Sequence, residues 1–199
     1  MSFNNDTPTA FRGDTNADSS SSTSSTDSYP EFKVWEDVAE ISSDLLRGIY
    51  AYGFEKPSNI QQKSIMSIIN GRDVIAQAQS GTGKTGAFTV AALQSVDVTK
   101  AATQVIILAP TRELADQIDR TVNGIARAVG FYTTCIYGGV PQRKQENAMS
   151  RGVDIVVATP GRLEDLISQR IIDLSEVETL VVDEADHMCD LGFIEGVRR

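Results

Sequence analysis

The sequence predicts an α/β domain with a mainly parallel β-sheet and helices on both faces. Two observations lead to this prediction: short apolar runs rich in β-branched residues recur along the chain, and segments with helical periodicity separate them. Alternation of this kind is typical of βαβ units, whose crossover helices cover the sheet. The runs are almost continuously hydrophobic, which predicts strands that are buried on both faces.

Five runs are predicted to be strands. They are residues 73–78 (DVIAQA), 104–109 (QVIILA), 133–137 (TTCIY), 154–158 (DIVVA) and 179–183 (TLVVD). Three segments between or before them carry the boundary signals of helices. Residues 42–53 open on serine and close on glycine, residues 58–70 open on Ser58 as an N-cap, and residues 111–130 form the longest candidate. Ligands of a parallel sheet sit outside the carboxyl ends of its strands, so functional residues are expected there.

The composition changes at about residue 30. Residues 1–30 contain eight hydroxyl residues in succession at 19–26 (SSSSTSST). They hold too little apolar surface to offset the entropy of ordering, so they are predicted to be a disordered Ser/Asp-rich tail. Residues 31–199 are predicted to be one folded domain, because a chain of this length can bury a sizeable core.

The charge of the chain limits how it could bind nucleic acid. The formal net charge is −9, and the tail accounts for −3 of it, with four aspartates against one arginine, so the remainder carries −6. A domain this acidic has no broad basic face. Nucleic-acid contacts would therefore be local, made by a few arginines, backbone amides and helix N-termini.

Other classes are disfavoured by what the sequence lacks. No apolar run approaches the roughly 18 residues of a membrane helix, so no membrane partner is expected. The polar, acidic first twenty residues resemble neither a secretory signal nor a transit peptide. Cys135 and Cys189 are far apart and lack the spacing of metal ligands. They are predicted to be reduced thiols of an intracellular protein.

A phosphate-binding loop follows the first predicted strand of the folded part. Residues 78–85 read AQSGTGKT and lead into a helix, whose positive end favours an anion. Glycines at 81 and 83 let backbone amides approach a phosphate closely, Lys84 can reach the β- and γ-phosphates, and Thr85 offers a hydroxyl to Mg²⁺. The alternative, a flexible turn, is disfavoured by the strand–loop–helix context. The predicted nucleotide-binding residues are Ala78 (glycine in the general pattern), Gln79, Ser80, Gly81, Thr82, Gly83, Lys84 and Thr85.

A pair of acids closes the last predicted strand. The segment 180–188 (LVVDEADHM) runs from apolar residues directly into Asp183 and Glu184. Asp183 is predicted to hold Mg²⁺ through water, because that ion keeps much of its hydration shell. Glu184 is predicted to orient and deprotonate an attacking water, which makes Glu184, Asp183 and Lys84 the candidate catalytic residues. Without a phosphate loop, the simpler interpretation of these acids would be a helix N-cap or a solvated loop.

The order of the motifs resembles that of the DEAD-box RNA helicases. DEAD at 183–186 is preceded by GFEKPSNIQ (53–61), which resembles the family's glutamine motif, and by PTRELA (110–115), GG (138–139) and TPGR (159–162). The resemblance covers residues from about 33 to 193. LLRGIYAYGFEKPSNIQQ and DVIAQAQSGTGKT look most like the translation initiation factor 4A branch, including its paralogue in exon-junction complexes.

This resemblance implies an ATP- and Mg²⁺-dependent RNA helicase that acts in translation initiation. Residues 31–199 would be its N-terminal RecA-like P-loop domain, with the glutamine motif at 33–61. Gln61 would bind the adenine edge, since a planar amide donates and accepts at once. Trp35 and Phe54 are candidates for packing near the base, and a core position is the alternative for both. The family usually has phenylalanine where Trp35 stands.

The resemblance also implies where RNA binds. Arginines would pair with phosphates, threonines would donate hydroxyls and glycines would allow close backbone approach, so binding would lack sequence preference, and the 2′-hydroxyl would favour RNA over DNA. Further implied partners are scaffold proteins of translation initiation or of exon junctions. The implied location is the cytoplasm, with the nucleus as the alternative. The implied RNA-binding residues are Pro110, Thr111, Arg112, Gly138, Gly139, Thr159, Pro160, Gly161 and Arg162.

The family pattern continues past the last residues of this sequence with a Ser-Ala-Thr strand and a second RecA-like domain. In related sheets that strand lies between the phosphate-loop strand and the acidic strand. A domain truncated at Arg199 is therefore expected to have a gap in its sheet. Two alternative functions stay open: a catalytically silent fragment that binds nucleotide, RNA or a partner protein, and a P-loop ATPase or GTPase that does not touch RNA.

Overall fold

The structure is a computed structural model and describes residues 9–12 and 32–192. Strands and helices alternate along the described chain, and a short 3-10 turn at Trp35–Asp37 precedes the first helix. The strands are β1 (Thr9–Arg12), β2 (Val74–Gln77), β3 (Val105–Leu108), β4 (Thr133–Ile136), β5 (Ile155–Ala158) and β6 (Thr179–Val182). The helices are α1 (Ser43–Tyr52), α2 (Asn59–Ile69), α3 (Lys84–Ser95), α4 (Arg112–Val129), α5 (Gln142–Met149), α6 (Pro160–Ser168) and α7 (Ala185–Asp190).

The five predicted strands are confirmed, each one or two residues shorter than predicted. Local signals also set the helix boundaries. The Ser42 hydroxyl accepts a hydrogen bond from the Leu45 amide at 3.2 Å and caps α1. The Thr111 hydroxyl does the same for the Leu114 amide at 3.2 Å and caps α4. Both helices end at a glycine in the left-handed region, where glycine has no steric penalty.

Four parallel strands form the main sheet, in the order β4-β5-β3-β6. Side chains alternate between its two faces. Val105 and Ile107 of β3 belong to a core that includes buried residues of α1, α3 and α4. Ile106 and Leu108 belong to a second core that includes buried residues of α6 and α7. Helices therefore cover both faces of a parallel sheet, and the predicted fold class is confirmed. Both cysteines are free thiols.

β1 lies in the predicted tail. Residues 1–8 and 13–30 are outside the described residues, but Thr9–Arg12 pair in parallel with β2, from Thr9 opposite Val74 to Arg12 opposite Gln77. The expectation of a disordered tail is corrected for these four residues. The edge of β2 offers unpaired backbone donors and acceptors, and a segment with Thr and Phe suits a strand.

A gap separates β2 from β6. Within the described part of the chain these two strands share no backbone hydrogen bonds. A cavity of about 270 Å³ lies between them and is lined by Val74 and Ala76 of β2 and by all four residues of β6. The gap expected between the phosphate-loop strand and the acidic strand is present.

The gap explains where the prediction of buried strands fails. β3 and β5 are buried at every position, as predicted. In contrast, Ile75 of β2 is 58% exposed and Leu180 of β6 is 52% exposed. The prediction of burial on both faces is therefore wrong for β2 and β6. Sequence hydrophobicity reflects the contacts a strand is suited to make, whereas exposure depends on which neighbours are in place.

Arg170 occupies a backbone position that favours glycine. It follows the C-cap of α6 and has φ = 58°. Its amide donates to the Ile167 carbonyl at 2.9 Å, and the Ile171 amide donates to the Leu166 carbonyl at 2.9 Å. This is the hydrogen-bond pattern of a Schellman motif, in which the left-handed residue is usually glycine. The Cβ of a non-glycine residue costs roughly 1–2 kcal/mol in this region.

We expect Arg170→Gly to raise the free energy of unfolding by about 0.5–1 kcal/mol, because the steric relief exceeds the added entropy of the unfolded glycine. The Arg170 side chain is exposed, so little packing is lost. Thermal unfolding followed by circular dichroism should show a midpoint higher by about 1–4 °C. An unchanged or lower midpoint would show that the left-handed position is not strained.

Candidate functional site

The phosphate loop and the acidic strand end meet at one cavity. Lys84, the first residue of α3, and Asp183, which follows β6, both line the cavity between β2 and β6. They lie at the carboxyl ends of parallel strands, where ligands of such sheets bind. The charges are close enough for Lys84 to act on the pKa of Asp183. The order of the motifs along the sequence predicts this juxtaposition.

The conformation of the phosphate loop depends on two glycines. Gly81 has φ = 78° and Gly83 has φ = 102°, both in the left-handed region. No atom lies within 4 Å of a Cβ built on Gly81, so the space beside the loop is open. The Lys84 ammonium folds back and donates to the Ala78 carbonyl and, at 3.2 Å, to the Gln79 carbonyl. The loop thus holds its own lysine at the position where an anion would be bound.

Gln61 connects α2 to the phosphate loop. It is only 4% exposed. Its Oε1 accepts a hydrogen bond from the Ser58 amide at 2.7 Å, and its Nε2 donates to the Gly83 carbonyl at 3.1 Å. The amide keeps one lone pair on Oε1 and one proton on Nε2, which is what an adenine edge requires. The sequence did not predict the hydrogen bond from Gln61 to the loop. The Ser-x-x-Gln spacing of a capping box predicts only the hydrogen bond between Ser58 and Gln61.

Trp35 lies in the core and bonds the backbone of Phe54. The Trp35 side chain has no exposed surface, and its indole nitrogen donates to the Phe54 carbonyl at 2.9 Å. Phe54 is half-buried and packs edge-on against Tyr52, with ring centroids 5.0 Å apart. For Trp35 this conformation has the core position that the sequence leaves as the alternative, because its ring has no exposed surface. Its position fixes the segment that carries Phe54.

Asp183 is a carboxylate in a partly desolvated position. Burial raises its pKa, a hydrogen bond from the Glu184 amide at 3.0 Å lowers it, the negative charge of Glu184 raises it, and the positive charge of Lys84 lowers it. The net pKa lies above the ordinary value. The charged form is therefore incompletely compensated, so a cation bound beside Asp183 would stabilise it.

The donor set suits a metal that needs few protein ligands. In residues 9–12 and 32–192, no cluster of three or more His, Cys, Asp or Glu side chains is arranged to hold a metal ion. Mg²⁺ keeps several waters and is usually bound by one or two carboxylates together with phosphate oxygens. Asp183 supplies one such carboxylate, and Thr85 lies in the first turn of α3 beside Lys84. These residues fit Mg²⁺ that arrives with a nucleotide.

Glu184 has a strained backbone. Its φ of 48° and ψ of 51° place a non-glycine residue in the left-handed region. Its exposed side chain has Oε2 at 3.5 Å from Nδ1 of His187. Strain of this kind costs on the order of 1–3 kcal/mol and concentrates at functional sites. The chain therefore retains a glutamate here although glycine would fit the backbone better.

We expect Glu184→Gly to raise the free energy of unfolding by about 0.5–1 kcal/mol, similar to the effect of Arg170→Gly. Glu184→Gln keeps the strained backbone and should leave stability within about 0.5 kcal/mol. Loss of the negative charge beside Asp183 should also lower the Asp183 pKa in both variants. Thermal unfolding separates the two substitutions. Equal stability of the glycine and glutamine variants would contradict the argument from strain.

The three motifs predicted to bind RNA lie side by side. They follow β4, β5 and β3, which are neighbours in the sheet, at the same carboxyl edge as Asp183. Arg112 lies against the glycine pair: a Cβ built on Gly139 would be 2.6 Å from Nη1 of Arg112. Thr111 and Thr159 occupy the N-cap positions of α4 and α6, and Pro160 is the first residue of α6. Pro110 is buried, and the space around Gly161 is open.

Sequence motifs of known proteins match this arrangement. A profile of the family described as DEAD/DEAH box helicase matches residues 58–199. The chain belongs to this family. An ATP-dependent RNA helicase eIF4A from Emericella nidulans is 46% identical over 169 residues, which are 85% of this chain and 42% of that protein. An eIF4A from Chaetomium globosum is 48% identical over 161 residues, or 81% of this chain and 41% of that protein.

The fold agrees with the same family. The crystal structure of a DEAD box protein from the hyperthermophile Methanococcus jannaschii matches with a TM-score of 0.79 and 35% identity, covering 85% of this chain and 46% of that chain. The RecA-like fold and the resemblance to the initiation factor 4A branch are confirmed. The chain spans less than half the length of these relatives. None of the helices in residues 32–192 is long and apolar enough to cross a membrane.

Proposed function

We propose that residues 31–199 are the N-terminal RecA-like domain of an ATP-dependent RNA helicase of the eIF4A type. The observation that carries the proposal is that Lys84 and Asp183 line one cavity. The three motifs predicted to bind RNA lie along the same edge of the sheet. Similarity to proteins named ATP-dependent RNA helicase eIF4A supports it. The glutamine motif at 33–61 forms the base-facing side of the site.

The proposed nucleotide is ATP. Lys84 leaves the carbonyls of Ala78 and Gln79 and pairs with the β- and γ-phosphates, while the amides of the loop from Ser80 to Thr85 surround them. The free lone pair and the free proton of Gln61 match the adenine edge, and guanine would present the opposite pattern. Phe54 offers an aromatic surface beside Gln61, because both lie within 3 Å of a Cβ built on Gly86.

Hydrolysis requires a base and compensation of charge. Bound Mg²⁺ neutralises charge on the β- and γ-phosphates. Asp183 and Thr85 are the residues that would hold it. Glu184 is exposed and adjoins Asp183, so its carboxylate is suited to orient a water and accept its proton. The left-handed backbone at Glu184 sets the direction of this side chain.

The proposed nucleic-acid partner is the RNA backbone. Arg112 and Arg162 supply positive charge, and Gly138, Gly139 and Gly161 leave room for a phosphate to approach the backbone. These contacts read no bases, so binding is expected to be independent of sequence. In the whole protein we place this domain in translation initiation, in the cytoplasm, with scaffold proteins of initiation or exon-junction complexes as partners.

Binding without turnover is a second candidate function. The observation that favours it is the open gap beside Asp183, which leaves the edge of β6 unpaired in the described residues. The neighbouring Glu184 is exposed to water. A site that excludes water poorly weakens electrostatic stabilisation of the transition state. RNA-stimulated release of phosphate by the purified chain separates the two candidates, since a silent binding domain would show none.

Two measurements test the proposal: competition of ATP and GTP for the nucleotide site, and RNA binding by two arginine variants. ATP should displace a fluorescent ADP at a concentration at least about tenfold lower than GTP, because GTP leaves the buried Gln61 amide mismatched. Arg112→Ala should raise the dissociation constant for single-stranded RNA about tenfold. Arg127→Ala is the matched control, since Arg127 is exposed on the same helix away from the glycine pair. Equal competition by GTP, or equal RNA binding by both variants, would reject the proposal.

A further inference from the structure

Gln145 is a buried amide that no sequence motif predicts. It lies on α5 and is only 4% exposed. Its Nε2 donates to the Tyr137 carbonyl at 3.0 Å, and its Oε1 accepts from Nε of Arg162 at 2.8 Å. Tyr137 immediately precedes the glycine pair at 138–139, and Arg162 belongs to the TPGR motif. One side chain therefore joins two of the three motifs at the carboxyl edge of the sheet.

We infer that Gln145 is a positioning residue that sets Arg162 and the Gly138-Gly139 turn in the geometry needed to bind consecutive RNA phosphates. The inference rests on the proposed RNA-binding function of the same edge. The joint geometry of the two motifs depends on Gln145, whereas the motifs themselves supply the contacts with RNA.

The hydrogen bonds of Arg162 show how Gln145 directs it. The side chain of Arg162 is 13% exposed, and its Nη1 pairs with Asp165. Gln142 accepts from the same Nη1 at the longer distance of 3.5 Å. With Nε on Gln145 and Nη1 on Asp165, the guanidinium plane is fixed. Nη2 is the nitrogen without a protein acceptor in the described part of the chain, and it is left for a phosphate oxygen.

The chemistry of an amide suits this task. A neutral acceptor orients the guanidinium without adding charge, whereas a second carboxylate beside Asp165 would make the cluster around Arg162 net negative and repel phosphate. The donating end of the same amide holds the last carbonyl before the glycine pair. Arg112 packs against that pair, so the position of the turn also sets the space beside Arg112. Burial of Gln145 excludes water that would compete for both hydrogen bonds.

The first test uses Gln145→Met, which keeps the length and shape of the side chain and removes both hydrogen bonds. The dissociation constant for a single-stranded oligouridine should rise about tenfold, while the constant for Mg·ATP should stay within about twofold. The variant loses some stability, so binding is measured at a temperature at which circular dichroism shows every variant folded.

A matched control separates positioning from a general loss of stability. Gln104 is also buried, at 2% exposed, and its amide bonds the backbone at both ends, accepting from the Asp97 amide at 2.8 Å and donating to the Asp97 carbonyl at 2.9 Å. It lies just before β3, at the opposite edge of the sheet. Gln104→Met should lower the unfolding midpoint comparably and leave RNA affinity unchanged. Equal loss of RNA affinity in both variants would overturn the inference.

The second test asks whether Gln145 acts through Arg162. In the Arg162→Ala background, Gln145→Met should raise the RNA dissociation constant by no more than about threefold, because the arginine it directs is gone. Gln145→Glu should weaken RNA binding at least as much as Gln145→Met, since it adds negative charge. A full tenfold effect in both backgrounds, or no effect in either, contradicts the inference. If the unaltered chain binds no RNA, the proposed RNA function fails together with it.

Discussion

Replacement of Lys84 by alanine is expected to raise the dissociation constant for Mg·ATP by about a hundredfold or more. Lys84 is the one cationic side chain in the loop 78–85. Two hydrogen bonds from an ammonium to phosphate oxygens, at roughly 1.5–3 kcal/mol each, account for an effect of this size. Among the described residues, the carbonyls of Ala78 and Gln79 are the only hydrogen-bond acceptors of the ammonium. Its removal therefore affects the ligand far more than the fold.

Isothermal titration of Mg·ATP into the two proteins measures the effect. The control is Lys100→Ala, which removes a lysine whose ammonium pairs with Glu178 at 2.5 Å and Glu176 at 3.4 Å, away from the loop. Its affinity for Mg·ATP should equal that of the unaltered chain. A dissociation constant for Lys84→Ala within a factor of about three of the unaltered value would remove the basis for the nucleotide site.

Asp183→Asn is expected to stabilise the fold and weaken nucleotide binding at the same time. The pKa of Asp183 in the folded chain is raised, mainly by burial. The folded state therefore binds a proton more tightly than the unfolded state. Stability from this group is fully present below the unfolded pKa of about 3.9 and is lost as pH rises through the raised folded pKa. At neutral pH the charged Asp183 destabilises the fold, and asparagine removes that cost.

The pH dependence distinguishes this explanation from a general effect of the substitution. The unfolding midpoint of Asp183→Asn should exceed that of the unaltered chain at pH 7. The difference should shrink as the pH falls through the raised folded pKa and vanish below about 3.9. Asparagine keeps an oxygen that can accept the Glu184 amide, so the local turn is preserved. A midpoint difference that is constant from acid to neutral pH would exclude desolvation of the carboxylate as its cause.

The same substitution removes the charge proposed to hold Mg²⁺. In the unaltered chain, added Mg²⁺ should tighten ATP binding, and the benefit should fall as protons compete for Asp183 at lower pH. In Asp183→Asn, ATP affinity should become nearly independent of Mg²⁺. Titrations with and without Mg²⁺ at two pH values measure this coupling. An undiminished effect of Mg²⁺ in the variant would show that the metal is held elsewhere.

Much of the fold follows from local sequence signals. The strands are short apolar runs, and the helices α1 and α4 begin at hydroxyl caps and end at glycines. The phosphate loop is evident because its conformation demands glycine at 81 and 83, where the structure has positive φ. The order of strands then places Lys84 and Asp183 at one edge. The strands, the helix ends and the phosphate loop each depend on residues close together in sequence.

Other features depend on partners that no local pattern specifies. Gln145 bonds Arg162, 17 residues away, and Gln61 bonds the Gly83 carbonyl, 22 residues away. Helical spacing does not specify which polar group a buried glutamine contacts. Exposure of β2 and β6 depends on what fills the gap between them, and β1 pairs with an edge of β2 that no local pattern assigns to it. The resemblance makes Trp35 a candidate for packing near the base and leaves the core as the alternative, because a motif does not distinguish a ring in the core from a ring at a ligand.

The central claim is that Lys84 and Asp183 bind one nucleotide from opposite sides of the cavity. The most direct test is a crystal structure of the chain with Mg²⁺ and a non-hydrolysable ATP analogue. Our account predicts that Nζ of Lys84 moves from the Ala78 and Gln79 carbonyls to the β- and γ-phosphate oxygens, with the metal's water on Asp183. Nucleotide bound away from the loop, with the lysine still on those carbonyls, would contradict it.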